Sequence, residues 1–238
     1  MHLSAMTHSS FTTAWFALWF GVALILSFFD TPTSHAALSS ADIEKLCINA
    51  DSSQECGRRI EAAVTTKLTG AFIKRNGDTL TVTLLPESDD ADTRTRTFTD
   101  KDDPVRGIAY AVWDYLATCD AVVLYVSEDA NPHFLWIGRK SGKSVVLPAD
   151  PVIAPDNKKI VTADFCANNC TNEIALWQIN GDLPTKNQTW APKEPWVDAE
   201  ATWSSAVALN ISYQKKGASG FSHLFLRLSD RDWRHVSP

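Results

Sequence analysis

Apolar residues along this chain change rhythm twice. Ala14–Phe29 (AWFALWFGVALILSFF) is an unbroken, uncharged run. Downstream, Ile60, Val64 and Leu68 recur every four residues through polar text (SSQECGRRIEAAVTTKL), the spacing of one buried helical stripe. Ser40 or Asp42 can cap the start of this helical stretch and Gly70 can close it. Beyond Gly70 the pattern becomes short apolar alternations separated by turn residues. Phe72–Arg75 and Thr79–Leu84 flank Asn76-Gly77-Asp78 and read as a hairpin, because Asn-Gly accepts the positive φ a tight turn needs. Arg94–Phe98 is a strand whose alternating Thr and Arg face water. Residues 107–127 read as two strands around Thr118–Asp120, with a helix from Pro104 to Leu116 as the alternative.

The remainder repeats short strand and tight turn. Phe134–Gly138 and Ser144–Leu147 flank Lys140-Ser141-Gly142-Lys143, and Lys159–Phe165 follows Pro155-Asp156-Asn157. Glu173–Ile179 follows the loop CANNC, while Ala201–Tyr213 and Ser222–Leu228 follow a connection rich in Pro and Trp. Strands at this spacing predict a mainly β fold, a propeller-like or sandwich arrangement of short antiparallel strands with an N-terminal helical segment.

The apolar run is followed by Asp30, a Pro-containing polar stretch and Ser34-His35-Ala36, which predicts a signal peptide over 1–36 and a mature start at Ala37. The residues before the run hold no Lys or Arg, so an uncleaved, membrane-anchoring N-terminal segment is the rival reading. The expected organisation is thus 1–36 signal peptide, 37–70 helical segment and 71–238 β-rich domain, in a periplasmic or secreted protein with no membrane insertion after cleavage. A formal charge of −6 argues against nucleic acid or anionic lipid as the main partner.

In an exported chain, five cysteines read first as bridges. Their spacing favours two local pairs, Cys47 with Cys56 and Cys166 with Cys170, leaving Cys119 as a buried, inert thiol in an apolar neighbourhood. Zinc is the rival, but C-x8-C with C-x3-C is poor spacing for it, and no metal is expected.

Residues 141–179 contain SGKSVVLPADPVIAPDNKKIVTADF and then EIALWQI. Through Pro155, Asp156, Lys158, Ile160 and Trp177 this text resembles one copy of the blade repeat of PD40/WD40-like β-propellers. The resemblance implies a propeller-like sheet arrangement, and the wider layout looks like that of exported bacterial proteins.

Candidate chemistry is sparse. Gly138-Arg139-Lys140-Ser141-Gly142-Lys143-Ser144 has three residues between its glycines where a phosphate loop needs four, and a strand follows instead of a helix, so it reads as a basic hairpin turn. His133, His223 and His235 each stand alone, and Gly217-Ala218-Ser219-Gly220 lacks the form of a nucleophile loop. Acids cluster in Glu87–Asp92 and Asp100–Asp103. Sequons occur at Asn169, Asn187 and Asn210. Most tryptophans belong in a core, but Asn187–Trp203 carries prolines that would hold it out as irregular loop. Trp190, Trp196 and Trp203 there would offer a rigid apolar platform to a sugar or a protein. The expected function is an exported noncatalytic binding module, without cofactor, for a protein partner or an envelope component. The alternative is an envelope glycan hydrolase using paired carboxylates among Asp100, Asp102, Asp103 and Glu128.

Overall fold

A computed structural model describes residues 38–68, 71–86, 92–101, 103, 107–128 and 132–236. The expected signal peptide, Gly70, Asp102 and all but Asp92 of the first acidic run lie outside the described residues.

The helical stretch is two helices, α1 (Ser40–Cys47) and α2 (Ser53–Thr65). Neither expected cap holds that position: Ser39 Oγ accepts from the Asp42 N–H, and Ser52 Oγ accepts from the Glu55 N–H at 3.1 Å. The Glu55 carboxylate reaches back to the Asp51 N–H at 2.8 Å, one residue before the Ser52 cap, so two side-chain bonds fix the entry to α2 and make the break before it favourable. The Cys47–Cys56 disulfide closes this break, tying the end of α1 to the first turn of α2. Ile60 and Val64 are buried as their spacing predicts.

Among the described residues fifteen strands form four antiparallel sheets, none closed into a barrel. The first holds β1 (Ile73–Asn76), β2 (Thr79–Thr83) and β3 (Thr95–Thr99); the second β4 (Ile108–Leu116), β5 (Ala121–Glu128), β6 (His133–Gly138) and β7 (Ser144–Leu147). In the third, β8 (Val152–Ile153), β9 (Lys159–Asp164), β10 (Glu173–Asn180) and β11 (Leu183–Trp190) run in order, with β15 (Arg234–His235) added outside β11. The fourth contains β12 (Trp196–Ser205), β13 (Ala208–Lys215) and β14 (Ser222–Arg227). Residues 108–128 form two strands, so the helix alternative is not what the chain adopts. In the first hairpin Asn76 pairs with Thr79 as the last strand residue, and the turn is Gly77-Asp78 with Gly77 at φ +58°, shifting the expected turn by one. Asn180-Gly181-Asp182 repeats this geometry, Asn180 pairing with Leu183 and Gly181 at φ +65°.

Two expectations about the C-terminal half need correction. Asn187–Trp203 is mostly strand: its first residues finish β11 against β10 and its last residues belong to β12, leaving only Ala191–Pro195 irregular. Its prolines confine irregular backbone to that five-residue link because neither interrupts a ladder. The expected strand Ala201–Tyr213 is broken by a turn at Ala206-Val207 that joins β12 to β13.

The sheets stack face to face in chain order. Ile60 and Val64 of α2, with Leu80, Val82 and Phe98 of the first sheet, pack on Val112, Val122, Leu124 and Ile137 of the second. The opposite face of the second sheet (Val123, Trp136, Leu147) meets Ile160, Ala175 and Trp177 of the third. The other face of the third (Val161, Ile174, Leu176) meets Ala201, Leu209, Ile211 and Leu226 of the fourth. Antiparallel strands commonly leave one face to water. Here Ala121–Leu124 of β5 are all 0% exposed because cores lie on both sides. On the fourth sheet Thr202 and Asn210 are exposed, and the ordinary alternation returns.

The second and third sheets also meet at one polar point. Asp182 in the β10–β11 turn accepts through its backbone oxygen from Trp136 Nε1 at 2.8 Å, and through Oδ2 from the Ser141 N–H at 2.6 Å. A Cβ on Gly138 would lie 2.4 Å from that Oδ2 and 2.8 Å from the backbone oxygen, so this close approach requires glycine.

Both expected disulfides form, and Cys119 is the free cysteine. It is half-buried in the β4–β5 turn, where burial pushes its thiol up to about 11 and the charge of Asp182 adds to the shift. At pH 8 a thiol-specific reagent should therefore react slowly with the folded protein and titrate one thiol per chain after denaturation without reductant. Rapid labelling of the folded protein would contradict this account.

Candidate functional site

The end of β11, the Ala191–Pro195 link, the start of β12 and the end of β13 enclose a cleft of about 360 Å³. The indole of Trp196 stacks on Tyr213, centroids 3.9 Å apart and planes 12° apart, with Trp190 at 5.4 Å and Phe165 at 5.1 Å. Trp190 and Trp196 are 9% and 5% exposed, so the cleft meets the edge of an aromatic cluster rooted in the core between the third and fourth sheets. Around it stand Lys193, Glu194, Lys215, Asp232 and Arg234. Glu194 and Lys215 pair at 2.6 Å, and this bond holds the carboxyl below and the ammonium above their ordinary values. Among the described residues Lys193, Asp232 and Arg234 have no ion-pair partner. An aromatic wall with charges of both signs suits the C–H face and hydroxyls of a sugar, or an apolar side chain with polar neighbours on a protein.

Of the three tryptophans singled out in the sequence, the structure brings two together. Trp203 lies elsewhere, donating from Nε1 to the Val152 carbonyl at 2.8 Å and fastening the fourth sheet to the third. Tyr213 carries no sequence signal of its own. Its place follows once the turn at Ala206-Val207 sets the register, because Lys215 pairs with Trp196 and Tyr213 is two positions away on the same face.

The acids are distributed differently from the sequence reading. Asp100 has a side chain only 2% exposed; it pairs with Arg58 and accepts from the Tyr110 N–H at 2.9 Å, a packing role. Glu128 and Asp103 are exposed. A different carboxyl is perturbed: Asp150, in the β7–β8 link, accepts from Trp113 Nε1 at 2.7 Å. Desolvation of its carboxyl pushes it up to about 6 against that hydrogen bond, and the charges of Asp114 and Glu200 add to the rise. A carboxyl raised on folding binds its proton more tightly in the native state, so stability falls as pH rises from about 4 to about 6. Asp150 as a residue is exposed, so water screens the effect and the slope is shallow. Asp150→Asn keeps an acceptor for Trp113 and should flatten that slope, read as the difference in urea midpoint between pH 4.5 and pH 7. An unchanged slope would assign the pH dependence to other groups.

His133, His223 and His235 lie on the second, fourth and third sheets, and among the described residues no group of three His, Cys, Asp or Glu is arranged to hold a metal ion. The basic Gly138–Ser144 segment is the β6–β7 turn and runs into a strand. In the segment that resembles a propeller blade, Asp156 Oδ1 accepts from the Lys158 N–H at 2.9 Å and Asn157 sits at φ +56°, the turn its residues predict. That segment is divided between sheets, β7 closing the second and β8–β10 belonging to the third.

Compared with known proteins, the chain matches no family model, no curated protein and no solved structure. Its two disulfides fit folding in an oxidising, non-cytoplasmic compartment, and among the described residues no helix is long and apolar enough to cross a membrane.

Proposed function

We propose that this chain is an exported, noncatalytic binding module that takes a protein partner or an envelope glycan at the cleft of Trp190, Trp196 and Tyr213. The observation that carries the reading is the junction of these rings with unpaired charges of both signs at the edge of a disulfide-stapled β scaffold. In this sandwich-like stacking of antiparallel sheets, a link between neighbouring sheets is placed to carry recognition. Periplasmic or secreted residence follows from the signal peptide read in the sequence.

The test is capture from the exported fraction of the source cells on immobilised protein. Wild type should retain a stoichiometric partner that Tyr213→Ala combined with Arg234→Ala no longer retains, with circular dichroism checking that the variant is folded at the capture temperature. Equal retention by the variant, or only abundant background from both, would count against the cleft.

The glycan hydrolase remains the second reading, now resting on Asp150. Asp150 accepts from Trp113 Nε1 at 2.7 Å, and the charges of Asp114 and Glu200 reach its carboxyl, a grouping of acids from which a glycosidase could draw its pair. Glycan turnover by purified protein that Asp150→Asn abolishes would establish it in place of the binding module.

A further inference from the structure

At the far end of β12 from the aromatic cleft lies a larger groove of about 730 Å³. Leu176 of β10, Val207 and Ala208 at the β12–β13 turn, and Phe225 and Leu228 at the end of β14 supply its apolar lining. Val207 and Phe225 are 62% and 50% exposed, the reverse of their ordinary preference. The volume lies within the roughly 300–1,000 Å³ of small-molecule sites, which are mostly apolar with few placed polar groups.

The polar lining is one-sided. It contains two cations, Lys159 and Arg227, with Asn187, Gln188 and two serines, and no carboxylate, although acids outnumber bases in the chain by 28 to 22. The cations differ in what they are free to do. Lys159 pairs with Asp156 at 2.9 Å and donates to the Ala206 carbonyl, holding the β12–β13 turn in place. The Arg227 guanidinium lies 5.9 Å from the Phe225 ring, and among the described residues it has no carboxylate partner. The nearby Asp230 carboxylate accepts from the Arg227 backbone N–H at 2.8 Å. An uncommitted guanidinium beside an exposed phenyl ring and an apolar groove complements a molecule that is apolar along its length and anionic at one end.

We propose that this groove binds a small amphiphilic anion, an acyl or aryl carboxylate, with its tail against Leu176, Val207, Phe225 and Leu228 and its carboxylate on Arg227. The site is separate from the aromatic cleft and does not depend on it.

Decanoate and decyltrimethylammonium, which share a ten-carbon tail and differ in head charge, serve as probes in isothermal titration of the purified protein below their micelle concentrations. Decanoate should bind saturably and the cation should not. Arg227→Gln should weaken decanoate about tenfold, the loss of a charge-assisted hydrogen bond. Arg227→Glu should abolish decanoate binding and admit the cation. Phe225→Ser, at an exposed position, should weaken decanoate without lowering the unfolding midpoint. Tyr213→Ala with Arg234→Ala should leave it unchanged, which separates failure of this groove from failure of the aromatic cleft. Equal binding of both probes, no binding of decanoate, or decanoate binding indifferent to Arg227 and Phe225 would overturn the proposal.

Discussion

Glu61→Ala is expected to destabilise the fold by about 3–5 kcal/mol, the cost of stranding a buried charge. Glu61 is 6% exposed on α2, and its carboxylate joins three elements. One oxygen accepts from Arg75 Nε; the other accepts from Arg75 Nη2 at 2.7 Å and from the Val112 N–H at 3.0 Å. That N–H lies where a bulge shifts the β4–β5 register, so Glu61 satisfies a backbone donor at an irregularity of the ladder. Arg75 also donates to the Tyr110 carbonyl, and Asp100 lies 3.6 Å from its Nη1 while pairing with Arg58. Alanine at 61 therefore takes the closer carboxylate from a guanidinium only 15% exposed, leaving it Asp100 at 3.6 Å and the Tyr110 carbonyl, and strands the Val112 N–H. Guanidinium chloride unfolding with the disulfides intact measures the loss. A cycle with Arg75→Ala should show the double variant losing less than the sum of the singles, because the second substitution removes the stranded charge. Strict additivity would show that the pair contributes no coupling.

Trp136→Ala is expected to cost a similar 3–5 kcal/mol, through a cavity rather than a charge. Trp136 is 0% exposed in β6, within the core between the second and third sheets, and its Nε1 donates to Asp182 in the β10–β11 turn. Trp136→Phe keeps a ring there but leaves the Asp182 carbonyl without this donor, and should cost about 1–3 kcal/mol. The two variants thus divide packing from hydrogen bonding. Equal losses would mean that the contact with Asp182 dominates the interface between these sheets.

Tryptophan position illustrates how far local text reaches. Asn187–Trp203 holds three tryptophans and two prolines, and composition alone makes it resemble an exposed loop. Its strands become visible only through their partners, Ile174–Leu176 for the end of β11 and residues 208–215 for β12. The β11 strand had one local signal: Asn180-Gly181-Asp182 repeats Asn76-Gly77-Asp78, with the same Gly-Asp turn. Pro184 at the start of β11 obscured it, being tolerated opposite Ile179 near the strand end. The apolar groove had no local signal at all, since Lys159, Leu176, Val207 and Arg227 come from four separate stretches of chain.

By itself, then, the sequence determined what short-range chemistry can specify. Turn residues cut the chain into short strands, the four-residue stripe of Ile60 and Val64 made a helix, and spacing of nine and four residues paired the cysteines. Each of these rests on neighbours within about one turn or one hairpin. Only the tertiary structure decided which strands share a sheet, that the second and third sheets are buried on both faces, and that Trp190 and Trp196 meet Tyr213 while Trp203 does not. It also withdrew Asp100 into an ion pair and singled out Asp150. These outcomes depend on burial and on the sum of many weak contacts between segments far apart in sequence, and no local pattern encodes that sum.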